Sequence, residues 1–86
     1  MISLTDYLRM YDRMQRLVNE VFDGSGAKDI EIVDYELKLF TLHIKVRYKL
    51  SGKEEETLVK FSQSSIESGK KAQEAIEKNK KRIFGE

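Results

Sequence analysis

Between Thr41 and Ser62 the chain can be registered against itself residue by residue. With Ser51 and Gly52 as a two-residue loop, Leu42, Ile44 and Val46 fall opposite Phe61, Val59 and Thr57 on one face of a hairpin. On the other face Lys49 stands opposite Glu54 and Arg47 opposite Glu56, so the acids after the turn neutralise the bases before it. A slip of one residue would carry every apolar side chain to the wrong face, and the register is therefore strongly specified. Lys45, Arg47 and Lys49 would by themselves suggest a nucleic-acid surface; paired in this way, they become half of a mixed-charge face.

The flanking segments supply what such a sheet needs to cover its apolar side. Leu4, Tyr7, Leu8, Tyr11, Met14, Leu17, Val18, Val21 and Phe22 recur at spacings of three and four, which predicts a helix over about 4–23. Ser3 is its expected N-cap, with Asp6 three residues on, and the Asp23-Gly24-Ser25-Gly26 run stops it. Its apolar arc, with Met10 and Leu17, is wide enough to touch two neighbours, and Tyr7, Met10, Tyr11 and Met14 read as core packing. From Ile30 to Leu50 the period changes to two, with breaks of phase. In the preferred solution Leu39-Phe40 is a tight turn between strands at about 29–38 and 41–50, pairing Leu37 with Leu42, Tyr35 with Ile44 and Asp34 with Lys45, and a bulge near Val33 returns Ile32 to the core. The rival places the turn at Asp34-Tyr35, a better turn sequence, and bulges one long strand at Phe40-Thr41. A third strand at about 54–62 precedes a helix over about 65–83, opened by a capping box from Ser64 to Glu67. Its apolar face is thin, and Glu67 with Lys71, Glu74 with Lys78 and Glu77 with Lys81 stand at ion-pairing distance along it.

The expected fold is α+β, with the order α-β-β-β-α in a single domain over 1–86 and both helices on one face of a three-stranded antiparallel sheet. Sixteen bases against fifteen acids leave a net charge of +1, so no general attraction to phosphates or acidic lipids follows, although acids exceed bases in the first 34 residues and bases exceed acids in the rest. The absence of cysteine removes disulfides, thiolate metal sites and thiol nucleophiles, and a chain of this kind is expected to be cytoplasmic. No stretch reaches the ~20 apolar residues of a membrane helix.

The strand Phe40-Thr41-Leu42-His43-Ile44-Lys45-Val46, the order of elements and a serine-initiated, lysine-bearing last helix together resemble the double-stranded RNA-binding domain. In that family a lysine pair after the serine, a later lysine and small residues set cations across an RNA groove. Counted from Ser65, the chain carries the small residue Gly69, the later lysine Lys70 and Ala72, while Ile66 and Glu67 stand where the family has its lysine pair. The resemblance thus implies the layout more than the RNA contact.

No catalytic constellation is present. The single histidine, His43, points outward from a strand near Glu36 and Lys60, and one histidine without cysteine does not make a zinc site. The Gly24-Ser25-Gly26 loop follows a helix and precedes a strand, the reverse of a phosphate loop. No enzyme activity, metal, cofactor or small-molecule substrate is therefore expected. Two surfaces remain. Leu39, Phe40 and Leu58, with Lys45 and Arg47 beside them on the sheet, are candidates for binding a protein partner or a second copy. Lys70, Lys71, Lys78, Lys80, Lys81 and Arg82 are candidates for structured nucleic acid, double-stranded RNA or DNA. The leading expectation is a non-catalytic interaction domain, regulator-like or inhibitor-like, that acts through the first of these surfaces.

Overall fold

The computed structural model describes residues 4–67 and 69–85, and the side chains among them except 4–8 and 67. Helix α1 (Leu4–Phe22) is followed by strands β1 (Lys28–Lys38), β2 (Thr41–Leu50) and β3 (Lys53–Ser62), then by the short helix α2 (Gln63–Glu67) and helix α3 (Gly69–Phe84). The sheet is antiparallel in the order β1-β2-β3, giving the α+β layout expected from the sequence. No helix among the described residues is long and apolar enough to cross a membrane.

The β2–β3 hairpin has the expected register throughout, from Thr41 opposite Ser62 to Leu50 opposite Lys53. Ser51 and Gly52 both have positive φ, 54° and 78°, which matches the twist of the strands they join. The first hairpin turns at Leu39-Phe40, with Leu37 opposite Leu42, Tyr35 opposite Ile44 and Asp34 opposite Lys45. The extra residue is Val33: Ile32 faces Val46 and Asp34 faces Lys45, so Val33 is left outside the ladder and exposed while Ile32 packs on the core. A second shift lies between Lys28 and Glu31, where Asp29 adopts a left-handed φ of 54° that aspartate tolerates well.

One apolar cluster joins α1, the sheet and α3. Met14, Leu17, Val18, Val21 and Phe22 pack over Leu42, Ile44, Val46, Tyr48, Val59 and Phe61, and Ile76 closes it from α3. Phe22 holds the three layers together, its ring centroid 4.8 Å from Tyr48 on β2 and 5.6 Å, edge-on, from Phe84 on α3. Gly24, with φ 74°, ends α1, and the hydroxyl and amide of Ser25 both donate to the Phe22 carbonyl that the helix leaves unpaired. Among the described side chains of the apolar arc, those from Met14 onward are buried. Met10 and Tyr11 are exposed, contrary to the core role expected for them, and Met10 borders an open groove where no further element covers it. The expected N-cap Ser3 lies outside the described residues, as do the side chains of Asp6 and Tyr7.

The last helical region starts earlier than expected. Ser62, the final residue of β3, is itself the cap: its Oγ accepts a hydrogen bond from the Ser65 amide at 3.2 Å, so Ser64 sits inside α2 instead of capping it. The ladder runs straight into the helix, with the Gln63 amide donating to the Phe40 carbonyl at 2.8 Å, and leaves no linker in which Ser64 could cap. The proposed reach of Glu67 back to the cap falls on a side chain outside the described set.

Candidate functional site

The outer face of the sheet is striped acid, base, acid. Glu31, Asp34 and Glu36 of β1 stand opposite Arg47, Lys45 and His43 of β2, and Glu54 and Glu56 of β3 border the same bases on the other side. Of the two pairs expected straight across, Arg47 with Glu56 forms and Lys49 with Glu54 does not, and the remaining contacts run diagonally. Lys45 Nζ meets Glu56 Oε1 at 2.9 Å, Arg47 Nε meets Glu54 Oε1 at 3.6 Å and Glu56 Oε2 at 4.0 Å, and Lys49 turns to Asp29 of β1 at 3.7 Å. The twist of the strands brings one diagonal within reach of long side chains. Lys45 and Arg47 are thus already engaged, and Leu58, the apolar residue of this face, lies opposite Lys45 with its carbonyl accepting a hydrogen bond from Arg82. His43 faces Glu36 and Lys60 across the ladders, and among the described residues no group of three or more His, Cys, Asp or Glu could hold a metal ion.

Leu39 and Phe40 do not share that face. They form the free tip of the first hairpin, and both hold positive φ, 45° and 66°. Two-residue turns of this hand favour Asn-Gly, and a left-handed conformation costs an ordinary L-residue roughly 1–2 kcal/mol. The side chains gain nothing in return from the fold: Leu39 is 93% exposed and Phe40 76%. Behind the tip an apolar groove of about 270 Å³ opens between α1, the hairpin and α2, floored by Leu42 and lined by Met10, Leu37 and Ile66. Leu37 is 62% exposed and Met10 47%. Gln63 borders both this groove and a shallow hollow beside Phe40, and its backbone bond to Phe40 ties the tip to the start of α2. An apolar corner results, built from three elements and open to solvent.

The basic candidates separate. Lys71, Lys78 and Arg82 line an open groove of about 450 Å³ between α3 and the free side of β3, together with Lys60, whereas Lys80 borders a different hollow beside Gly24 and Phe84. Lys70 and Lys81 are exposed and line neither. The pairs expected along the helix, Glu74 with Lys78 and Glu77 with Lys81, do not close among the described residues, where all ion pairs lie on the sheet. Exposed pairs of this type contribute so little that the side chains remain solvated.

A residue the sequence reading passed over shapes this groove. Asn79 is 3% exposed in the middle of α3. Its Nδ2 donates to the carbonyls of Lys60 and Ala75, both at 2.8 Å, and its Oδ1 accepts from the Lys60 amide at 3.0 Å and from Arg82 Nη2 at 2.6 Å. The side-chain amide pairs with β3 as a neighbouring strand would, and Arg82 extends the seal to the Leu58 carbonyl. The available signal was phase: Asn79 falls on the same helical face as Ala72, Ala75, Ile76 and Ile83.

No family model matches this chain, and neither the curated proteins nor the solved structures include a match to it.

Proposed function

We propose that the chain is a non-catalytic interaction domain that binds a protein, either a partner presenting an apolar segment or a second copy of itself, through the corner formed by Leu37, Leu39, Phe40 and Met10. The observation that carries this reading is the Leu39-Phe40 turn. Two bulky apolar residues occupy left-handed positions and face solvent, where Asn-Gly would relieve the backbone and the exposure together. A strained and exposed apolar pair that serves no packing purpose is well suited to anchoring in another protein's pocket, and the backbone bond from Gln63 holds it in place beforehand.

The double variant Leu39→Asn/Phe40→Gly separates binding from folding. It is expected to melt higher than the parent and to lose both the proteins that the parent captures by cross-linking in its source cells and any concentration-dependent association in sedimentation velocity. A stabilised variant that keeps the same captured proteins and the same association would refute the corner. Leu58→Asp, on the opposite sheet face, is expected to leave binding intact.

The alternative of a structured nucleic-acid module draws on fewer side chains than the sequence offers, because the cations of α3 are divided among separate surfaces and those of β2 are paired with acids.

A further inference from the structure

We propose that the groove between β3 and α3 is a binding site for an extended phosphate chain, the chemistry shared by the backbone of a single nucleic-acid strand and by inorganic polyphosphate. Four cations from two elements converge on it, Lys60 from β3 and Lys71, Lys78 and Arg82 from α3, with Glu74 as the one acid in its lining. None of the four is in an ion pair among the described residues, whereas Lys45, Arg47 and Lys49 of β2 are each paired with an acid. The groove therefore concentrates positive charge on a chain whose overall charge is only +1.

The spacing selects the ligand. Lys71, Lys78 and Arg82 follow one another at seven and four residues on α3, which at a rise of about 1.5 Å per residue strings them along roughly 16 Å. One phosphate cannot meet all three, so the ligand carries several in line. Arg82 is already oriented, since its Nη2 is held by the Leu58 carbonyl and Asn79, while Nε and Nη1 remain as donors. Ser62 and Ser64, whose hydroxyls stand 3.3 Å apart, close the lining at one end. The lining holds no aromatic ring on which a base could stack, and recognition is accordingly independent of base sequence.

Fluorescence anisotropy of the full chain with a labelled single-stranded oligonucleotide, with unlabelled polyphosphate as competitor, tests the site. Binding is expected at low salt, with a logarithmic salt slope of about −2 to −3 if three or four cations each neutralise one phosphate. Lys71→Gln/Lys78→Gln is expected to weaken binding about tenfold or more at low salt and to flatten the slope by about 1.4. Lys70→Gln/Lys81→Gln removes the same charge outside the groove and is expected to change affinity less than about twofold, and Glu74→Gln to tighten it. All five side chains lie outside the core, and unchanged thermal melting will confirm that each variant folds. Displacement by polyphosphate at equal phosphate concentration would identify the chain of phosphates as the ligand. Failure of polyphosphate to displace would narrow the ligand to the nucleic-acid strand, and competitor binding without the oligonucleotide would narrow it to polyphosphate. Absence of binding to either at low salt, or equal losses in the two lysine double variants, would overturn the proposal. The corner at Leu39-Phe40 is not involved, so either result leaves the protein-binding reading to its own test.

Discussion

Asn79 closes β3 with a single side chain, and its removal should expose how much that closure contributes. Asn79→Ala strips the partners from the Lys60 amide and carbonyl at the sheet edge and loosens Arg82, and it is expected to cost about 2 kcal/mol, the usual penalty for leaving backbone groups without partners. Urea unfolding measures the difference; a change below a few tenths of a kcal/mol would mean that water replaces the amide without loss. Asn79 was poorly legible in the sequence because its partners lie 19 residues away on a strand backbone, which carries no residue-specific mark. Tyr48 offers a second residue-scale test. Burial raises its pKa above the ordinary 10.0, and the charge of Glu55, directly opposite on β3, adds to the rise. The folded chain therefore holds this proton more tightly than the unfolded one. Its contribution is complete below pH 10 and is lost as the pH climbs from there through the folded pKa, because the unfolded state ionises first. Tyr48→Phe keeps the ring against Phe22 and should unfold at a higher pH than the parent in an alkaline titration followed by circular dichroism.

Among the elements, β1 shows what alternation alone can resolve. Apolar residues at Ile32 and Tyr35 demand the same face from an odd spacing, and a single extra residue is the only economical remedy, which is why the bulge at Val33 was legible. Deleting Val33 should then give a regular strand that still places Ile32 and Tyr35 inward, with stability within about 1 kcal/mol of the parent. Deleting Leu37 instead would shift the phase between the turn and Tyr35 and should destabilise far more; thermal melts of the two deletions decide the point, and equal losses would show that the bulge is not a simple insertion. The turn at Leu39-Phe40 was resolved by the same reasoning against its own residue types, since pairing Leu37 with Leu42 outweighs a poor turn sequence. The boundary of the last helical region was less legible. Three serines in four residues, Ser62, Ser64 and Ser65, offer equivalent caps, and the choice of Ser62 follows from the ladder continuing to Gln63, a tertiary fact.

For the molecule as a whole, the two sheet edges are treated differently. β3 is sealed by Asn79 and Arg82, whereas among the described residues β1 has β2 as its one neighbouring strand and most of its side chains are exposed. An open edge of 11 residues invites a second copy, and the charge pattern answers that hazard. Asp29, Glu31, Asp34 and Glu36 lie along β1, so antiparallel pairing of two such edges would bring acid against acid, and like charges on facing strands repel. Of these acids Asp29 also pairs with Lys49 of β2, whereas Lys45 and Arg47 are paired with Glu54 and Glu56 of β3, which leaves the rest of the β1 stripe to guard the edge. Glu31→Gln/Asp34→Asn weakens the guard without touching the core or the groove behind the Leu39-Phe40 tip. In sedimentation velocity at neutral pH and low salt this variant should associate at lower concentration than the parent, by roughly fivefold for about 1 kcal/mol of relieved repulsion. The difference should shrink as salt screens the parent's acids, because exposed charges interact over only about 10 Å at 0.1 M. Identical association of the two proteins at every salt concentration would show that the edge is guarded by geometry alone, through the twist that the two register shifts impose on β1.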